Sequence, residues 1–206
     1  MGMAFAVALG LAAAVLAVKG TDVKSLVKAL QLTARWSFLL FWVAYAGGAI
    51  TELFGPALAP LARRGREFGL AYAAAMLIHV GLVVWLFQIS SRAPLSGTSF
   101  DFFVLGIVWT YLLGVLSFRR LVEALGPSGW RILRIAGLNY ILYAFAVDFV
   151  TPVIRPGTAQ YGVWRMIAYA PFAAMSVAAP LLVLAAAVHR RLGMRYSPAR
   201  LGPVVD

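Results

Sequence analysis

The sequence predicts an all-α fold: a polytopic membrane helical bundle of about six transmembrane helices plus one interfacial amphipathic helix, a single integral membrane domain over residues 1–206. Three observations predict it. Hydrophobic residues make up 63% of the chain and charged residues 12%, with mean hydropathy +0.88, whereas soluble domains carry about a quarter charged residues. The apolar residues are gathered into runs long enough to cross a ~30 Å hydrocarbon layer as helices rising ~1.5 Å per residue. What separates the runs is basic residues, proline and glycine, and no strand-rich region occurs.

Residues 1–18 are apolar and rich in alanine, about the minimum for a span, and the polar flank begins at Lys19. Residues 21–35 differ. Val23, Leu26, Val27 and Leu30 fall at helical spacing while Lys24, Lys28, Gln31 and Arg35 take the other face, the pattern of an amphipathic helix lying at the membrane surface. The second span covers 36–54, with Trp36 at its start and Glu52 near its end. Pro56, Pro60, Arg63, Arg64 and Arg66 make a short loop into the third span, 68–89, which holds His79 near its middle. Residues 90–99, with Pro94 and Gly97, read as a turn-rich loop before the fourth span, 102–118, closed by Arg119 and Arg120. Gly126, Pro127 and Gly129 mark the next turn, and Trp130, Arg131 and Arg134 lead into the fifth span, 135–154. Pro156 and Gly157 punctuate a loop, and the sixth span, 166–188, carries Pro171 and Pro180 as tolerated kinks. From His189 onward the tail is basic and too short for a domain of its own.

The net charge of +11 comes from Lys and Arg in short clusters between apolar runs, so it reads as topology and anionic-lipid contact rather than nucleic-acid binding. With six spans, eleven Lys and Arg residues fall on the side of Arg63, Arg119 and Arg190 and seven on the side of Lys19 and Arg155. The positive-inside rule then places both termini in the cytoplasm, as suits a bacterial inner membrane. Cysteine is absent, which excludes disulfides, thiolate metal sites, iron–sulfur clusters and catalytic thiols. The N-terminus lacks the positive region of a signal peptide and is expected to be retained. No internal repeat is visible.

Two segments carry a likeness. The first is Arg63-Arg64-Gly65-Arg66-Glu67-Phe68-Gly69-Leu70 leading to Leu77-Ile78-His79. The second is Leu116-Ser117-Phe118-Arg119-Arg120, then Leu125-Gly126-Pro127-Ser128-Gly129-Trp130-Arg131-Ile132-Leu133-Arg134, then Gly137-Leu138-Asn139-Tyr140. In this order the motifs resemble the ferric reductase-like transmembrane domain, shared by ferric reductases, NADPH oxidases and the haem-binding membrane partner of the periplasmic methionine sulfoxide reductase. The resemblance covers roughly residues 35–188. It implies two helices whose histidines clamp b-type haem and pass electrons across the membrane. His79 matches the ligand of the first helix and Met76, one turn earlier, is the nearest other soft ligand. The histidine that follows Trp-x-x-Leu on the second helix is here Arg134. His189, near the cytoplasmic end of the last span, lies roughly 15 Å from the depth of His79 by helix rise, too far to share one iron.

The remaining candidates follow from depth and helical spacing. Asp148 falls near the depth of His79, which makes the two a candidate hydrogen-bonded pair. Arg134 is a candidate partner for lipid phosphate or for Glu52 on the same side, against the plainer reading of an interfacial arginine. Asn139 and Tyr143, at i and i+4, read as interhelical glue. No flavin or NAD(P)H domain is expected, since no glycine-rich nucleotide fingerprint follows a strand. The cofactor is therefore open, with b-type haem disfavoured. Three functions are expected in order: a non-haem accessory or structural subunit packed against lipids and other membrane subunits, a single-haem electron-transfer subunit using His79 with a separate redox partner, and a small transporter with His79, Asp148 and Glu52 as a proton path.

Overall fold

The computed structural model describes residues 1–90, 97–117, 119–155 and 159–195. They form helices α1 (Gly2–Lys19), α2 (Val23–Phe54), α3 (Ala59–Arg63), α4 (Gly65–Ile89), α5 (Thr98–Leu116), α6 (Arg119–Ile154) and α7 (Ala159–Arg195), with a single 3-10 turn at Pro56–Leu58. Six of these are long and apolar enough to cross a membrane, the part of α6 that qualifies being Gly126–Ile154. The protein is an all-α polytopic bundle and an integral membrane protein.

α2 is the helix on which the others are hung. It packs on α1, α3, α4 and α7, while α6 bridges α5 and α7. The amphipathic stretch 21–35 is helical, as its spacing predicts, but it runs without a break into the second span, so two expected elements are one helix of 32 residues. Its inner stripe is Leu26, Ala29 and Thr33, all buried, and it meets Ala12 of α1 and Leu82 of α4. The helix starts sharply because the Asp22 carboxylate accepts from the Ser25 N–H at 3.0 Å. Ser25 Oγ in turn donates to the Lys19 carbonyl at 2.9 Å and fastens the end of α1 to the start of α2.

α1 buries Ala4, Ala8 and Ala12, one residue per turn, and small side chains let it approach α2 and α4 closely. Trp36, at the start of the expected second span, donates its indole N–H to the Ala4 carbonyl at 3.1 Å, and Trp42 donates to the Met175 carbonyl of α7 at 2.9 Å. The centre of the bundle is aromatic. Phe38 sits edge-on to Phe149 (5.0 Å between centroids) and Phe145 (5.2 Å), and Phe41 lies 5.3 Å from Tyr72, so α2, α4 and α6 meet through rings.

Other boundaries move for local reasons. The proline-rich loop before the third span holds α3, and Gly47 lets α2 come close to it, since a Cβ there would lie 3.1 Å from the Leu61 carbonyl oxygen. The fifth span begins earlier than expected because Gly126, at φ 70°, breaks α6 and Pro127 restarts it. α7 stays helical through Pro171 and Pro180 and past His189 to Arg195, where a tail was expected. The fourth span starts at Thr98, and most of the expected loop before it, the Pro156–Gly157 turn and residues 196–206 lie outside the described residues.

Contacts set the directions. Thr33 meets His79 and Phe41 meets Tyr72, so α2 and α4 are antiparallel. Trp42 meets Met175 and Glu52 meets Arg190, so α2 and α7 run together. The end of α2 and the starts of α4 and α6 are thereby gathered at the end of the bundle that carries Arg66, Arg134 and Arg190.

Candidate functional site

His79 lies in the middle of α4, part-buried, with Nδ1 3.1 Å from Thr33 Oγ1 on α2. The Thr33 hydroxyl is already within 3.0 Å of the Ala29 carbonyl and 3.1 Å of the Leu30 carbonyl, as a threonine one turn on usually is. Its single proton belongs to those carbonyls, so the hydrogen-bond network assigns the imidazole proton to Nδ1, which donates to Oγ1 and leaves the lone pair on Nε2. Met76 is on the same helix, packed against the aromatic core, and so lies beside His79 rather than across from it.

The expected partnership of His79 with Asp148 is not formed. His79 is bonded to α2, and Asp148 is exposed on α6, where the charges it faces are Arg165 and Arg35. Arg35 lies over the rings of Tyr169 (4.9 Å) and Phe172 (5.4 Å) of α7. Nor does Glu52 meet Arg134. Its carboxylate is 3.5 Å from Arg190, because the last turn of α2 runs beside α7 whereas Arg134 faces away from that seam. Asn139 does act as interhelical glue, but its partner is Tyr45 of α2, whose hydroxyl donates to Oδ1 at 2.9 Å. Tyr143 is 60% exposed and packs edge-on to Phe102 of α5. His189 is exposed on α7, which packs on α2 and α6. His79, Asp148 and Glu52 thus have separate partners and form no continuous relay among the described residues.

What the structure does assemble is a half-open cavity of ≈ 380 Å³ at the arginine-bearing end, lined by α2, α3, α4, α5 and α6. Its wall on α2 and α4 includes Ala44, Gly48, Gly65 and Gly69: a Cβ on Gly65 or Gly69 would lie 3.9 or 4.0 Å from Ala44, so these glycines let the two helices approach, while Gly48 has open space beside it. Phe41, Leu70, Leu113, Leu138 and Ile141 make the interior apolar. The hydroxyls inside are already paired: Tyr72 OH lies 2.9 Å from Thr110 Oγ1, Thr110 donates to the Gly106 carbonyl at 2.9 Å, and Ser117 donates to the Gly114 carbonyl at 2.7 Å, while the indole N–H of Trp130, which lines the same space, has no hydrogen-bond partner among the described residues. Arg66 and Arg134 line the same cavity, and neither has a hydrogen-bond or ion-pair partner among the described residues. Sequence reasoning placed Arg66 in the loop before the third span and Arg134 as a candidate partner for lipid phosphate or Glu52, with no signal that the two share one space.

The donor set bears on haem. A two-sided haem clamp needs a lone pair on each face of the iron, and Arg134 is a permanent cation with none to give. His79 is not among the residues that line the cavity between α4 and α6. The described residues therefore do not fit a bis-histidine haem in that cavity. They fit a site that takes a negative charge at its rim. The chain matches no family model, no curated protein and no solved structure.

Proposed function

We propose that this protein is a non-haem accessory subunit of a membrane complex, built on a ferric reductase-like helical scaffold that has exchanged its second ligand position for a cation. The observation that carries this reading is the fate of the two ligand positions. His79 spends Nδ1 on a tie between α4 and α2, and Arg134 presents a guanidinium to the cavity where an imidazole would be needed. A second observation supports a partner. Asp148, roughly 10 Å inside the end of α6 by helix rise, is exposed on the outside of the bundle beside Arg165. Acyl chains are a poor cover for such a pair, and a neighbouring subunit is a good one.

One alternative has an observation in its favour. With its proton on Nδ1, His79 keeps the Nε2 lone pair, the form in which histidine binds a metal. A single-haem electron-transfer subunit would use that atom. The absorption spectrum of the purified protein decides between the two. A folded, colourless preparation supports the accessory reading; a Soret band that shifts on dithionite reduction and is lost in His79→Ala replaces it with the oxidoreductase. For the partner face, a photo-crosslinking residue at Trp164, beside Arg165, should give a defined adduct in native membranes that weakens in Asp148→Asn. Absence of any adduct along 163–167 would remove the subunit from the proposal.

A further inference from the structure

The cavity between α2, α4, α5 and α6 has a chemical pattern of its own. Its interior hydroxyls are paired within the protein, so the body of an occupant gains little from being polar there. Phe41, Leu70 and Ile141 instead offer it an apolar surface. At the other extreme, two guanidinium groups, Arg66 on α4 and Arg134 on α6, line the same space with no anionic partner among the described residues. Guanidinium matches phosphate in planar, bidentate geometry, and basic pockets between spanning helices are suited to anionic headgroups. A neutral ring compound would leave both charges unanswered, and a small free anion would leave the apolar walls unfilled.

We propose that this cavity is a binding site for an acidic glycerophospholipid, its phosphate held between Arg66 and Arg134 and the start of an acyl chain laid along the glycine-lined wall of α2 and α4. The site holds the lipid as a structural ligand that joins α4 to α6 at the basic end, where the helices otherwise leave a gap. Gly48 provides a clean way to close it. A Cβ added there meets no atom within 4 Å, so a larger side chain grows into the open space rather than into a neighbouring helix.

The test uses the full chain in neutral detergent, titrated with phosphatidylglycerol or with phosphatidylcholine of the same acyl chains, and bound lipid counted by native mass spectrometry. Phosphatidylglycerol should bind at least tenfold more tightly than phosphatidylcholine. Each arginine near an anionic headgroup is worth about fivefold, so Arg66→Gln with Arg134→Gln should erase most of that preference, phosphatidylglycerol losing far more than phosphatidylcholine, whose phosphate is offset by its own choline cation. Gly48→Leu, with both arginines intact, should lower phosphatidylglycerol binding to the phosphatidylcholine level. Equal binding of the two lipids in the native chain overturns the proposal, as does an unchanged preference in a folded Gly48→Leu protein, which decides the matter if the arginine variant fails to fold. Displacement of phosphatidylglycerol by millimolar inorganic phosphate would overturn it in favour of a water-soluble phosphate site. A Soret band would sink the accessory-subunit reading without touching these measurements, so the two proposals fail separately.

Discussion

Thr33 Oγ1 and His79 Nδ1 are 3.1 Å apart, and the bond between them joins the middle of α2 to the middle of α4. In a bilayer such a bond is of modest value, ~0.6 kcal/mol on average and ~1.7 kcal/mol at most, since the separated helices find other partners. Thr33→Val, which keeps the shape and removes the oxygen, should destabilise the bundle by that amount in reversible unfolding from mixed micelles. A double-mutant cycle with His79→Phe should return a coupling of the same size. Zero coupling would mean that the two side chains act independently.

α5 is held on α6 by close approach as well as by the Tyr140 hydroxyl, which donates to the Phe102 carbonyl at 3.0 Å. A Cβ on Gly137 would fall 2.6 Å from Trp109 Cε3 and 2.8 Å from Leu113 Cδ1, distances at which the facing side chains must shift. Gly137→Ala should therefore cost about 1–3 kcal/mol, the range for overpacking a filled interior. Gly48→Ala, with nothing within 4 Å of the added atom, serves as the control and should be neutral or slightly stabilising. Equal thermal midpoints for the two variants would refute the packing argument.

Arg35 is tied down by two rings, Tyr169 at 4.9 Å and Phe172 at 5.4 Å, contacts worth about 0.5–2 kcal/mol depending on desolvation. Lysine keeps the charge but not the flat face. Arg35→Lys should lose a substantial part of this stabilisation, and Phe172→Leu a comparable part, as read from unfolding in detergent. A lysine variant as stable as the native chain would show that charge alone suffices.

The Glu52–Arg190 pair is half exposed and 3.5 Å long, so its effect should be small. Glu52→Gln should change stability by less than about 1 kcal/mol, and the change should shrink as salt rises. A large, salt-independent loss would point to a buried role for Glu52 instead.

Asp22, at the start of α2, has its carboxyl held below the ordinary value of 3.8 by hydrogen bonds from Ser25. A carboxylate depressed in the folded state stabilises it above the unfolded pKa, and that contribution is lost as pH falls through the lower, folded value. The acid limb of the helical signal should thus begin below pH 3.8 and flatten in Asp22→Ala, with no difference expected between the two proteins' pH slopes near neutrality. An unchanged acid limb in the variant would assign the acid loss to other groups.

The span count was legible in the sequence because length and apolar content are local properties that a ~30 Å slab reads directly. Hydropathy divided α2 at Arg35, however, and the division is undone by the faces of Tyr169 and Phe172 from α7, which give that guanidinium a place inside the bundle. His79 stood out for its chemistry, while its partner did not: Thr33 is an ordinary residue on a helix face until α4 comes beside it. Matched depth suggested Asp148 for that role, but depth fixes only one coordinate, and the rotation of α6 carries Asp148 to the outer surface. Asn139 was recognised as glue, with its true partner, Tyr45, on another helix.

By itself the sequence determined that this is an all-helical membrane protein of six spans with its positive charge gathered at the helix ends, because those are consequences of composition and of the bilayer as solvent. Only the tertiary structure decided that Arg66 and Arg134 share one apolar-walled cavity and that His79 is bonded to α2. The physical reason is that helix rotation and crossing are set by which small residues and rings interlock, a relation among distant segments that no stretch of the chain contains alone.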